Sequence, residues 1–220
     1  MQLNADPRQR VALDTNQLDW LDADGAPSGA VSHKPLANSG GEAAMRTDIV
    51  RYAAGAQIWQ NESDGAEMLV LEGSVQDAAG DYPAGSYLKL PCAWPGRLAS
   101  AAGCTLFVKR GHLDRQDQRP RLLRPAERVW HPGLVPGLNV LSLAEYDGAH
   151  TALVNWDPGT LFQPHRHYGG EEIFVIAGVF QDEHGDYPAG TWLRSPHMSE
   201  HVPFSEPGCL IFVKVGHLPV

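Results

Sequence analysis

Long apolar runs are missing from this chain of 220 residues. No stretch approaches the roughly 20 apolar residues that a bilayer-crossing helix requires, and no basic-then-apolar segment opens the sequence as a secretion signal does. The expectation is a cytoplasmic protein without membrane attachment. Basic residues are the minority, with 17 Lys and Arg against 26 Asp and Glu and a net charge of −9. Nucleic acid is excluded as a partner, because binding it needs clustered cations to neutralise phosphates. The arginines near residues 115–128 are interleaved with acids and read as a solvated connector. Cysteine is scarce: Cys92, Cys104 and Cys209 are the three. An odd count with no close pair argues against a disulfide scaffold. Cys104 and Cys209 sit in apolar runs, as small buried hydrophobes do. Helical periodicity is also nearly absent, showing weakly only over residues 7–13.

Turn residues are abundant instead, with 23 Gly and 17 Pro spread at regular intervals. Between them lie short runs rich in β-branched and aromatic residues, at 68–75, 86–90, 105–109, 151–156, 173–180, 191–195 and 210–214. Many short strands separated by turns predict an all-β sandwich or jelly roll.

The chain also repeats itself. Gly-Asp-Tyr-Pro-Ala-Gly occurs from Gly80 and again from Gly185, and the surroundings of Cys104 recur around Cys209. Both pairs are 105 residues apart. An equal offset over two separate motifs leaves no net insertion between them. Trp20 and Trp130 mark the start of each copy with looser spacing. Each copy has the size of a small domain, and the charged, proline-bearing stretch 114–125 divides them. The expected domains are residues 1–115 and 116–220. The opening forty residues are less regular and read as an arm reaching the other half.

The second copy carries the chemistry. His165 and His167 stand two apart, so on a strand they share a face and can take one metal ion together. Glu171 or Glu172 follows a Gly-Gly turn. Neighbours on a strand point to opposite faces, so only one of the two can join. A further imidazole must come from a distant strand, with His201 and His197 as the candidates. Aligned on the repeated turn, the first copy offers Gln60 and Glu62, or Asn61 and Ser63, opposite the two histidines. It offers Glu67 opposite Glu172, and Gly96 or Arg97 opposite His201. No register supplies a histidine, so the first domain is expected to bind no metal tightly. His112 and His217 recur outside the metal motif and are expected to serve structure. Phe162, Tyr168, Phe174, Trp192 and Phe204 are candidates for a pocket wall, with core packing the commoner fate of such residues.

The run from Gly159 through His165, His167 and Glu171 to Gly178 resembles the first cupin motif. The turn Gly185-x2-Pro188-x-Gly190 followed by His201 resembles the second. The extended pattern through Asp186, Tyr187, Ser205, Cys209 and Lys214 is similar to the cupin domain of ChrR-type anti-sigma factors. The resemblance covers most of the second copy and the later half of the first. It implies two tandem double-stranded β-helix barrels. It also implies one divalent transition metal per chain, held by His165, His167, Glu171 and His201, with zinc favoured over iron, manganese or nickel.

ChrR-type proteins join such a cupin to an anti-sigma domain with its own zinc motif, and the cupin helps the response to oxidants. This sequence has no His-x3-Cys-x2-Cys; a second cupin copy occupies that half instead. The resemblance implies a metal-binding regulatory or sensor protein, with a sigma factor or another regulatory protein as candidate partner and a small molecule as candidate ligand; a homodimer is expected besides, dimerisation being one use for a first domain without metal. The alternative is an Fe(II)-type cupin dioxygenase cleaving a β-diketone or similar small substrate.

Overall fold

The computed structural model describes residues 2–41, 44–60 and 64–220, with only the backbone of Gln60. Within these residues there is no α-helix; two short 3-10 turns accompany 22 strands. The chain forms two compact units.

In the second unit, one ten-stranded antiparallel sheet runs from Val11–Asp14 through Thr191–Ser195, Glu171–Asp182, Cys209–Val215, Ala149–Trp156 and Leu138–Tyr146 to His131–Pro132. The first unit repeats that order strand for strand, from Arg121–Leu123 through Tyr87–Leu90, Ala66–Asp77, Cys104–Arg110, Arg46–Tyr52 and Val31–Asn38 to Leu21–Asp22. The two are tandem β-barrels of one design, and each expected strand run lies, within a residue, inside an observed strand.

Each barrel turns its corner inside its longest strand. Glu171–Asp182 pairs with Cys209–Val215 in its first half and with Gly185–Pro188 in its second. The register slips between Val175 and Ala177, and Gly178 follows at φ 72°. A Cβ there would stand 2.0 Å from the Gly208 carbonyl oxygen, so only glycine permits the bend. Gly73 occupies the equivalent place in the first unit, with its own φ of 72°. Apolar side chains alternate inward and fill each barrel, around Val175, Phe180, Tyr187 and Ile211 in one and Val70, Val75, Tyr82 and Leu106 in the other.

The edges of the units differ from the edges of the sequence copies. One unit comprises Met1–Ala5 with Asp19–Arg128, the other Asp6–Leu18 with Val129–Val220. The strand Val11–Asp14 thus completes the sheet of the second unit by pairing with Thr191–Ser195. Arg121–Leu123, from the connector, completes the sheet of the first by pairing with Tyr87–Leu90. Of the opening forty residues, 6–18 join the second unit, while Leu21–Asp22 and Val31–Asn38 are strands of the first. Residues 7–13, where the sequence hinted at a helix, form a turn and then a strand. The partner that decides this is the open edge of Thr191–Ser195, whose hydrogen-bonding groups override a weak local preference.

Candidate metal centre

The strand His165–His167 pairs only with Ser199–His201, setting His165 opposite His201. This two-stranded ribbon brings His165, His167 and His201 together: one ring nitrogen from each lies within 4.8 Å of the others. His167 and His201 point their Nε2 atoms at each other across 2.9 Å. Their rings are 6–8 % exposed.

Two of the rings are held from behind. His165 Nδ1 lies 3.0 Å from the Gln163 carbonyl oxygen, which accepts the Nδ1 proton and leaves Nε2 as the lone-pair nitrogen. Asp182 faces Nδ1 of His201 at 3.5 Å and does the same for that ring. Phe162 lies edge-on to His165, with centroids 4.9 Å apart.

Burial, with each imidazole discouraging charge on the others, holds His167 down to about 3, and burial also lowers His165. Both are therefore neutral, the form that binds metal. His201 differs: burial alone would lower it, but the Asp182 hydrogen bond and the Glu171 charge more than offset this and raise it. Three convergent, mostly neutral imidazoles fit a divalent first-row metal by the chemistry of the donors.

Glu171 lies at the same place, its Oε2 3.4 Å from His167 Nε2 and 3.7 Å from His201 Nε2. Burial lifts its carboxyl to about 7, against the opposing pull of His201. Glu172 points to the other face, where it accepts from Trp192 Nε1 at 3.3 Å and stands 3.4 Å from His217 Nε2. The alternation of the strand thus separates the two glutamates. His197 accepts the Gly169 N–H at 3.0 Å and lies against the ring of Tyr168, away from the imidazole group. His112 lies 3.5 Å from the Thr47 hydroxyl.

Above the imidazoles opens a cavity of about 420 Å³. His165, His201 and Glu171 supply its polar floor, and its walls are apolar, among them Val154, Trp156, Phe162, Ile173 and Phe180. Leu134, 82 % exposed, stands at its rim. Of the aromatic residues expected in the wall, Phe162 is there. Phe174 and Trp192 are buried outside it, and Tyr168 is 73 % exposed. Phe174 and Trp192 thus meet the commoner fate of aromatic residues, core packing, since aromatic content does not reveal which face of a strand points inward.

Asp182 was missed by sequence reasoning. Its spacing to Tyr187 recurs as Asp77 and Tyr82 in the first copy, a signal that was available. Arg10, which bonds Asp182 and Tyr187, carried no local signal at all.

The first unit fills the corresponding space differently. Ala66, wholly buried, takes the register place of Glu171. A Cβ on Gly96, at the place of His201, would lie 2.1 Å from the Trp94 ring. Asn61, Glu62, Ser63 and the side chain of Gln60 lie outside the described residues.

The sequence profile of the ChrR cupin-like domain matches residues 8–114 and again 118–219. The chain belongs to this family. It is a bicupin, with one ChrR-like cupin domain in each match. No curated protein is similar enough to count as a relative. Among solved structures, a candidate dioxygenase from Nostoc punctiforme is similar to this bicupin with a TM-score of 0.77 and 17 % identity, covering 95 % of this chain and 83 % of that one. The protein Ylba from E. coli gives 0.71 and 12 %, over 98 % and 94 % of the two chains. An oxalate decarboxylase from Lactobacillus farciminis gives 0.65 and 11 %, over 95 % and 86 %. Likeness at such identities establishes the cupin fold and leaves the chemistry to the site. Among the described residues no helix is long and apolar enough to cross a membrane.

Proposed function

We propose that this bicupin is a metal-dependent enzyme of the dioxygenase type, acting on a small, largely apolar molecule that meets the metal through oxygen atoms. One observation carries the reading: the imidazole group opens onto an apolar cavity of about 420 Å³, large enough for a small substrate. A purely structural metal site is closed by its ligands; a catalytic one keeps a position facing a pocket.

His165, His167 and His201 would hold one divalent ion, with Glu171 as fourth ligand or as base. When bound, the metal supplies Lewis acidity and, if it is iron, the redox capacity that dioxygen chemistry requires. The remaining work belongs to the chain. The walls around Val154, Ile173 and Phe180 exclude water and select apolar substrates. The Gln163 carbonyl and Asp182 fix the ring tautomers. Glu171, buried with its Oε2 3.4 Å from His167 Nε2, would serve as the fourth ligand or as the base beside the ion. The candidate dioxygenase and the oxalate decarboxylase that share the fold are in keeping with this reading.

A second reading, a metal-binding regulatory or sensor protein, is favoured by the family itself, the ChrR cupin-like domain. In that reading a sigma factor or other regulatory protein on another chain is the partner, and the cavity takes the signal molecule.

Metal analysis of protein purified without nickel columns, followed by oxygen-uptake assays of the iron-loaded protein against a β-diketone panel, separates the two. The enzyme reading expects uptake with at least one compound, falling about tenfold or more in Glu171→Gln. Tightly held zinc, with no uptake from the iron-loaded protein, would leave the regulatory reading standing.

A further inference from the structure

Behind His201 the Asp182 carboxylate opens a chain of polar contacts whose further members, Tyr187 and Arg10, the proposed chemistry does not use. Asp182, whose side chain is 3 % exposed, faces His201 Nδ1 with Oδ2 at 3.5 Å. Its Oδ1 accepts the His184 N–H and the Tyr187 hydroxyl, each at 2.8 Å. Arg10 then closes the group: its Nη2 donates to Asp182 Oδ2 at 3.1 Å and to the Tyr187 oxygen at 2.6 Å. Arg10 is 172 residues from Asp182 in sequence. It arrives on the segment Asp6–Leu18, which belongs to the second unit. That segment is tied down by its strand pairing and by backbone and side-chain bonds from Thr15 to the Gly190 carbonyl.

We propose that Arg10 is a positioning residue for the metal centre, its guanidinium holding Asp182 and Tyr187 so that the Asp182 carboxylate fixes the ring of His201. The proposal rests on the reading that His165, His167 and His201 hold a metal.

Two observations support it. A buried carboxylate without a cationic partner is costly, and Arg10 is the only guanidinium that bonds Asp182 among the described residues. The first unit provides an internal comparison. It keeps the tyrosine–aspartate pair, Tyr82 to Asp77 at 3.2 Å, while Gly96 stands where His201 would be. An arginine lies over the tyrosine ring in both units, Arg10 over Tyr187 and Arg124 over Tyr82, but among the described residues no guanidinium bonds Asp77, and Arg124 bonds the Asp81 carbonyl. What accompanies the histidine is the guanidinium bond to the aspartate. Outer partners of this kind orient a ligand ring and raise its basicity, and losing one costs about 10–100-fold in metal affinity or activity.

The test uses full-length protein and cobalt(II), with affinity read by chelator competition and ligand geometry by the visible d–d bands. Arg10→Gln should weaken cobalt binding about tenfold, the lower end of that range, and shift the bands. Arg10→Lys should restore part of the affinity. Asn16→Ala removes a neighbouring anchor of the same segment, the bond to the Ala189 carbonyl, and should bind cobalt as the parent does. Unchanged affinity and spectrum in Arg10→Gln overturn the proposal; so does an equal loss in Asn16→Ala, which would assign the effect to docking of the segment. Should Arg10→Gln fail to fold, Tyr187→Phe reads the same contacts, and parental binding there is equally fatal. A parent protein that binds no cobalt would sink the metal reading itself, whereas tight parental binding with an indifferent Arg10→Gln sinks this proposal alone.

Discussion

His167 sits 8 % exposed, with its Nε2 2.9 Å from that of His201 and 3.4 Å from the Glu171 carboxylate. Without a cation between them these groups are crowded and desolvated together. With one, each donor is satisfied, and the bound ion stabilises only the folded form. Replacing His167 by Ala should therefore cut metal content more than tenfold and lower the melting temperature at the same time. The linked loss is about 3–4 kcal/mol if the parent is normally far above its dissociation constant. Plasma emission analysis and thermal melts of both proteins check this; parental metal content in the variant would remove His167 from the ligand set. On the strand Cys209–Val215, burial raises the Cys209 thiol to about 11. That agrees with a small packed side chain and against a reactive thiolate.

At the scale of elements, the added strand of each unit is secured by buried polar contacts as well as by its ladder. In the first unit Lys89, on Tyr87–Leu90, forms an ion pair with Asp117, from the connector that leads into Arg121–Leu123. Both side chains are 2–4 % exposed. Burial alone would raise the Asp117 carboxyl, but the hydrogen bonds from Lys89 and Arg119 outweigh it and hold it below its ordinary value. A carboxyl depressed in the folded state contributes stability that is full above its unfolded pKa and is lost as the pH falls through the folded one. Asp117→Ala should cost about 3 kcal/mol at pH 7, since it strands a buried lysine. The gap between variant and parent should close as the pH drops below about 4. Urea denaturation at pH 7 and pH 3 measures it, and a gap that is constant with pH would show that the pair contributes nothing through its charge.

For the whole molecule, the two barrels share a strand order and differ in what fills them. Trp94 covers the place where a histidine matching His201 would project, and Ala66 replaces Glu171 in the register. The expected stoichiometry is about one metal ion per chain. Gly96→His should leave that number unchanged and destabilise the protein by about 1–3 kcal/mol, because the new ring has to displace the half-buried Trp94 indole from the core it packs against. Elemental analysis returning two ions per chain, in parent or variant, would show that the first barrel can build a site of its own.

Much was legible before any coordinates. The 105-residue offset, the turn-bounded strands and the His165–His167 spacing are local patterns, and a period of two dictates a shared face whatever the fold. The separation of Glu171 from Glu172 follows from the same rule. What the tertiary structure alone decided was everything that depends on distant strands meeting. It seated Val11–Asp14 beside Thr191–Ser195, brought Arg10 to Asp182, chose His201 over His197 for the imidazole group, and turned Val154, Ile173 and Phe180 toward one cavity. The physical reason is that side-chain alternation is fixed along a strand, whereas register and neighbour are settled only when hydrogen-bonded edges and apolar faces find their partners across the barrel.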